Sequence, residues 1–286
     1  MNILLVTPMP PQAQAPGAIP LVLHARLTAL LRRHQVTLVT PIGTDPGEAQ
    51  AAAELKAQGI EVHAPPLMGN GVWERWQRRG QLAGDWLAGR TPWRTAWFHS
   101  AAVQQVLDDL LAAQRYDVIQ VEDNAMAGYT YRTQTPAVLA EYEVRRPRRP
   151  DWGRLAGQEA ARHLLDELDW QRWSGYQKRA WARFDRIEVF TQRDAEAVGE
   201  IAPELRPRVS VNPFGVVAPP AATPEHEEEG QLIFVGNYTH APNVDAALWL
   251  GEEIMPRLRR LGPGVQLNIV GIYPPEEVLA LRGPDI

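Results

Sequence analysis

The sequence predicts an α/β protein built on parallel sheets, and three observations carry that prediction. Short apolar runs bounded by loop residues recur along the chain, the first being NILLV at 2–6 and the next QVTLVT at 35–40. Between them Leu23, Leu27, Leu30 and Leu31 keep helical spacing, and Pro20 stands where a first helical turn begins. A strand–loop–helix–strand unit of that length implies a right-handed parallel crossover. Finally, the same rhythm restarts after a proline-rich stretch near residue 212, so two domains are expected.

The elements follow in order. A helix over Ala49–Ala57 leads to a strand at Ile60–His63, and later strands fall at Val118–Val121, Ala137–Ala140 and Ile187–Phe190. NPFGVVAPPAATPEHEEEG, rich in proline and acid and without periodicity, reads as a connector. Beyond it come a strand at 231–235, a helix from about 243, the strand VQLNIV at 265–270 and a proline-initiated helix from about 275. The expected division is a first domain over 1–211, a linker over 212–230 and a second domain over 231–286. Two strands are too few for an independent core, so the second domain reads as incomplete.

Composition bounds the function. The 286 residues hold 29 basic and 34 acidic side chains, a net charge of −5 that gives no reason to expect nucleic-acid binding. There is no cysteine, which excludes disulfides, thiolate chemistry and the common structural zinc sites. The seven histidines show no HxxxH or HExxH spacing, and no metal site is expected. The N-terminus has no basic leader, and no apolar run reaches the roughly 18–20 residues of a membrane span, so a soluble cytoplasmic protein is the expectation.

Two loops lie where a parallel strand meets a helix N-terminus, a natural seat for phosphate. One is LIFVGNYTHAPNVDAALWL at 232–250, in which Gly236 lets a ligand approach the backbone. Asn243 is its expected N-cap, Asp245 its first-turn carboxylate, and Pro256 is expected to kink the helix. The other is TPMPPQAQAPGAIP at 7–20, whose only glycine, Gly17, excludes a GxGxxG fingerprint. Neither a P-loop nor a DxD pair occurs.

In order along the chain, these segments resemble the GT-B glycosyltransferases of family 4. FVGNYTHAPNVDAALWLGEEIMPRL followed by VQLNIVG is similar to the start of that family's second domain. NILLVTPMPP, RRHQVTLVTP, YDVIQVED (116–123), TPAVLAEYEV (135–144), WARFDRIEVFTQRDAEAV (181–198) and VSVNPFGV (209–216) resemble its successive first-domain motifs.

The resemblance implies two Rossmann-like domains gripping a nucleotide-sugar, UDP- or GDP-linked. It also implies metal-independent, cofactor-free, retaining hexosyl transfer to a carbohydrate or lipid-linked acceptor in polysaccharide or glycoconjugate synthesis. By it, Gly236, Asn237, His240, Asn243 and Gly17 serve the donor phosphates. Tyr142 stands where the family usually has a histidine, and Tyr142 and Glu143 are the catalytic candidates. Glu122, Arg145 and Arg146 are the acceptor-side candidates. The family's diphosphate-binding basic residue and paired glutamates would lie beyond Ile286, so this chain alone is expected to be a poor catalyst. A non-catalytic partner of a complete transferase is the alternative.

Two aromatic helices complete the reading. Trp73, Trp76, Gly80, Ala83 and Leu87 fall within about 80° of arc with arginines opposite. That face fits either peripheral contact with the inner face of a membrane or packing on its own domain. Trp170, Trp173, Trp181 and Phe184, within about 60° of arc, read as core.

Overall fold

The computed structural model describes residues 1–15, 17–67, 80, 84, 86–89, 92, 95, 97–146, 158–215, 230–262 and 264–286. Two compact units result, Met1–Gly215 and Val216–Ile286. The break falls a few residues beyond the expected boundary at 211, and a strand at Val209–Val211 is the last of the first sheet.

Seven parallel strands form that sheet: β1 (Asn2–Val6), β2 (Gln35–Val39), β3 (Glu61–His63), β4 (Val118–Glu122), β5 (Ala137–Glu141), β6 (Arg186–Val189) and β7 (Val209–Val211). Their order is β3-β2-β1-β4-β5-β6-β7. The chain therefore reverses direction across the sheet between β1 and β4, the switch point where ligands of such sheets gather at the strands' carboxyl ends.

Helices α1 (Ala18–Leu31) and α2 (Pro46–Ala57) cover one face. Leu27, Ala52 and Leu55 pack there on Ile3, Leu5, Val36, Leu38 and Val62. On the opposite face lie α3 (Ala101–Ala113), α4 (Gln158–Trp181) and α5 (Gln192–Ile201). Val103, Leu107, Trp181, Phe184 and Val198 there meet Leu4, Val6, Ile119, Val121, Leu139, Ile187 and Val189. The core reading of the second aromatic set holds for Trp173, Trp181 and Phe184, all buried, while Trp170 is half-buried.

Neither cluster includes the side chains of β5, β6 and β7 that alternate onto the first face, namely Val138, Ala140, Arg186, Glu188 and Ser210. Of these, Ala140 is buried, Val138 and Glu188 are half-buried, and Arg186 and Ser210 are exposed.

The second unit holds β8 (Gln231–Asn237) and β9 (Gln266–Ile272), paired in parallel with Gly236 opposite Gly271. Helix α6 (Ala241–Trp249) follows β8, and Tyr238, Ala247 and Val278 make a small core with Phe234 and Ile269. Asn243 is not the N-cap: His240 holds that place, and Asn243 sits in the first helical turn, where its amide donates to the Asn237 carbonyl at 2.9 Å. Pro242 explains the shift, since its fixed φ suits a first turn. Asp245 consequently lies beyond the first turn, which is without acid. The expected kink appears as a π-helical turn, Leu250–Ile254, before α7 (Met255–Leu261) with Pro256 in its first turn. A last helix, α8 (Glu276–Leu279), has Pro275 at its N-cap.

Trp73 and Trp76, the connector at 216–229 and the arginines at 148, 149 and 154 lie outside the described residues. Leu87, from the same proposed membrane face, is exposed, while Trp86 donates to Asp169 of α4 at 2.9 Å. No described helix is long and apolar enough to cross a membrane.

Candidate functional site

Polar residues enter the first sheet where its pattern should be apolar. A strand buried on both faces reads as a continuous hydrophobic run, yet β4 is VIQVE and β6 is RIEV. The alternate residues Gln120, Glu122 and Glu188 project from the first face, toward α1. There Arg26 meets them, its Nη1 standing 3.1 Å from Glu122 Oε1 and 2.7 Å from Glu188 Oε2. Gln120 Nε2 donates to Glu122 Oε1 at 3.0 Å, and the Tyr142 hydroxyl donates to Glu122 Oε2 at 2.9 Å.

This network settles the protonation of its members. Burial pushes the Glu122 carboxyl above its usual range, against the pull of Arg26 and Tyr142. Burial opposes the charge of Arg26, but the two glutamates outweigh it and raise its pKa. Burial and the adjacent Glu122 raise the Tyr142 phenol far above its ordinary value. Tyr142 is therefore a fixed donor with no proton to exchange at neutral pH. Glu122 is wholly buried, accepts from Gln120 and Tyr142 and pairs with Arg26, so its carboxylate holds its neighbours in place.

Across the sheet lies a second acidic group. Glu141, at the end of β5, is buried and accepts from Trp181 Nε1 at 2.6 Å. Burial first, and then the charge of Asp123, hold its carboxyl well above the usual range. Asp123 takes a left-handed backbone at φ 73° as the chain leaves β4, and its carboxylate accepts from Ala125 N at 2.8 Å. Asp tolerates that conformation better than most residues.

The other first-domain candidates stand apart from Glu122. Glu143 is exposed and pairs with Arg145 at 3.1 Å. The Arg145 guanidinium lies 4.4 Å from the Trp173 ring centre, on α4. Arg146 reaches Glu200 at 3.4 Å. Arg145 and Arg146 thus pack over α4 and α5, whereas Glu122 faces α1. Gly17 is the N-cap of α1, and a Cβ there would meet only Pro20, at 3.9 Å.

In the second unit the sequence candidates do come together. Asn237 Oδ1 accepts from Thr239 N at 3.1 Å and from Thr239 Oγ1 at 2.8 Å, closing the turn that leads to exposed His240. A Cβ on Gly236 would stand 3.3 Å from that of Asn243, and one on Gly271 would collide with the Gly236 carbonyl. Two glycines side by side therefore let the β8–α6 loop fold back on the strand ends, under the positive end of the α6 dipole.

Arg26, Glu188, Phe190 and Phe214 were not singled out from sequence. The signal for the first two was present: an arginine among the spaced leucines of α1, and polar residues at every second position of β4 and β6.

No family model matches the sequence, and neither does any curated protein. Solved structures do match in shape. Over 98 % of this chain and 68 % of the other, apo OtsA superposes with a TM-score of 0.52 at 11 % identity. The S. aureus MnaA–UDP structure matches with a TM-score of 0.46 at 12 % identity over 98 % of this chain and 65 % of that one. Arabidopsis thaliana UGT89C1 with UDP-L-rhamnose gives 0.42 at 13 %, over 97 % and 70 %. The chain spans about two thirds of the length of these structures. At such identities the likeness is one of fold, and the α/β fold of this chain, a seven-stranded parallel sheet with a smaller second one, is GT-B.

Proposed function

We propose that this chain belongs to a metal-independent glycosyltransferase that moves a hexose from a UDP- or GDP-linked donor to a carbohydrate or lipid-linked acceptor. The observation that carries the reading is the β8–α6 loop. The ordered motif from Gly236 to Asn243 occupies a parallel strand's carboxyl end and a helix's first turn, with glycines where close approach is needed. A diphosphate there would meet the helix dipole and the exposed His240 side chain. The GT-B fold and the order of motifs along the whole chain support the same reading.

In the first unit, Tyr142, held on Glu122, is a positioning residue. With its phenol fixed as a donor it cannot relay protons, so acceleration would rest on orientation and on electrostatic stabilisation of the departing diphosphate.

Calorimetric titration of the full chain with UDP and with GDP tests the proposal. One of the two should bind saturably, and Gly236→Val, which drives a branched side chain into Asn243, should weaken it at least about tenfold, or roughly 1.4 kcal/mol. No binding of either nucleotide, or binding indifferent to that substitution, sinks it.

A further inference from the structure

Three aromatic side chains follow the carboxyl ends of the adjacent strands β5, β6 and β7. Tyr142 follows β5, Phe190 follows β6, and Phe214 comes shortly after β7. Tyr142 and Phe190 have ring centres 5.0 Å apart at 45°, and Phe190 and Phe214 are 5.0 Å apart at 82°. The row is graded in exposure: Tyr142 and Phe190 are half-buried, whereas Phe214 is 50 % exposed. A row with one end in solvent leaves a ring face open to a ligand.

Beside the row runs the Arg26–Glu122–Glu188 network. Glu188 lies two residues before Phe190 and retains 23 % side-chain exposure. Among the described residues of this network, two carboxylates stand against one guanidinium. The next cation on β6, Arg186, turns away and donates to the Pro207 carbonyl at 3.1 Å. The Glu188 carboxylate would disfavour a phosphate or carboxylate laid directly against it. An uncharged ring with apolar C–H faces and hydroxyls at its rim satisfies both features, laying one face on the rings and offering a hydroxyl to Glu188.

We propose that Phe214 and Phe190, backed by Tyr142 and edged by Glu188, form a binding shelf for an uncharged pyranose ring, the acceptor end of the transfer. The name acceptor rests on the transferase reading; the shelf itself does not.

Saturation-transfer NMR on the full chain tests it, with methyl α-D-glucopyranoside and methyl α-D-mannopyranoside as neutral probes, glucose 6-phosphate as the anionic one and uridine as the base. At least one neutral glycoside should receive saturation at its ring protons. That signal should be lost in Phe214→Leu, which keeps apolar bulk at a half-exposed position and so leaves folding intact, and reduced in Glu188→Gln. The same signal in Phe214→Leu as in the parent overturns the shelf, as does silence from both glycosides. A glucose 6-phosphate or uridine signal stronger than theirs overturns the neutral-sugar assignment. Calorimetry with UDP and GDP separates the two claims. Nucleotide binding without glycoside binding refutes the shelf alone, and glycoside binding without nucleotide binding refutes the transferase alone.

Discussion

At the scale of the residue, the first unit buries ionisable groups at the carboxyl ends of its inner strands β4 and β5. Glu141 binds its proton more tightly folded than unfolded, because burial and Asp123 both disfavour its charge. Such a group adds stability at low pH that is lost as pH climbs from the unfolded value near 4.3 toward the folded one. Glu141→Gln, which keeps an oxygen for Trp181 Nε1, should therefore flatten the fall in melting temperature between pH 5 and 8. Thermal melts across that range check this, and parallel curves for both proteins would refute it. Arg26 has the opposite role. Removing it leaves Glu122 and Glu188 without a cation, and loss of one partner from a buried pair costs roughly 3–5 kcal/mol. Arg26→Ala should lose stability on that scale in denaturant at pH 7 and less at pH 5, where the raised carboxyl of Glu122 takes up a proton. A loss that does not depend on pH would contradict the charge account.

At the scale of the element, the second unit turns on two glycines. Gly271 stands opposite Gly236 in the β8–β9 ladder, and a methyl at Gly271 would strike the Gly236 carbonyl. Gly271→Ala should destabilise this unit by roughly 1–3 kcal/mol, the usual scale of overpacking. Val235→Thr on the same sheet should cost far less, since Val235 is 68 % exposed. Hydrogen exchange at residues of β8 and β9 distinguishes the two, and equal protection in both variants would show that the glycine pair is dispensable.

The strands were the most legible part of the sequence, since NILLV, QVTLV and AVLAE are apolar runs with loop residues at each end. The α6 start was not, because Asn243 has the chemistry of an N-cap, while Pro242 starts the helix earlier and leaves the Asn243 amide to bond the Asn237 carbonyl. The Glu122 network was half legible: alternating polar residues in β4 and β6 mark a face, but nothing local shows that Arg26, 162 residues before Glu188, closes it. For Arg145, likewise, nothing local shows that its guanidinium lies against the tryptophan faces of α4.

At the scale of the whole molecule, the proposed function gives each unit its own binding task. The second unit would hold the nucleotide on its glycine-lined loop, and the first would offer an acceptor shelf beside a fixed polar network. The GT-B architecture accommodates that division, and the placement of Gly236, Asn237, His240 and Asn243 on one turn makes it local enough to map. The most direct measurement is an amide NMR titration of the full chain with UDP and GDP. The account predicts that shifts concentrate between residues 236 and 243 and at the neighbouring Gly271 and Ile272. Shifts confined to the first unit, or none at saturating nucleotide, would contradict it.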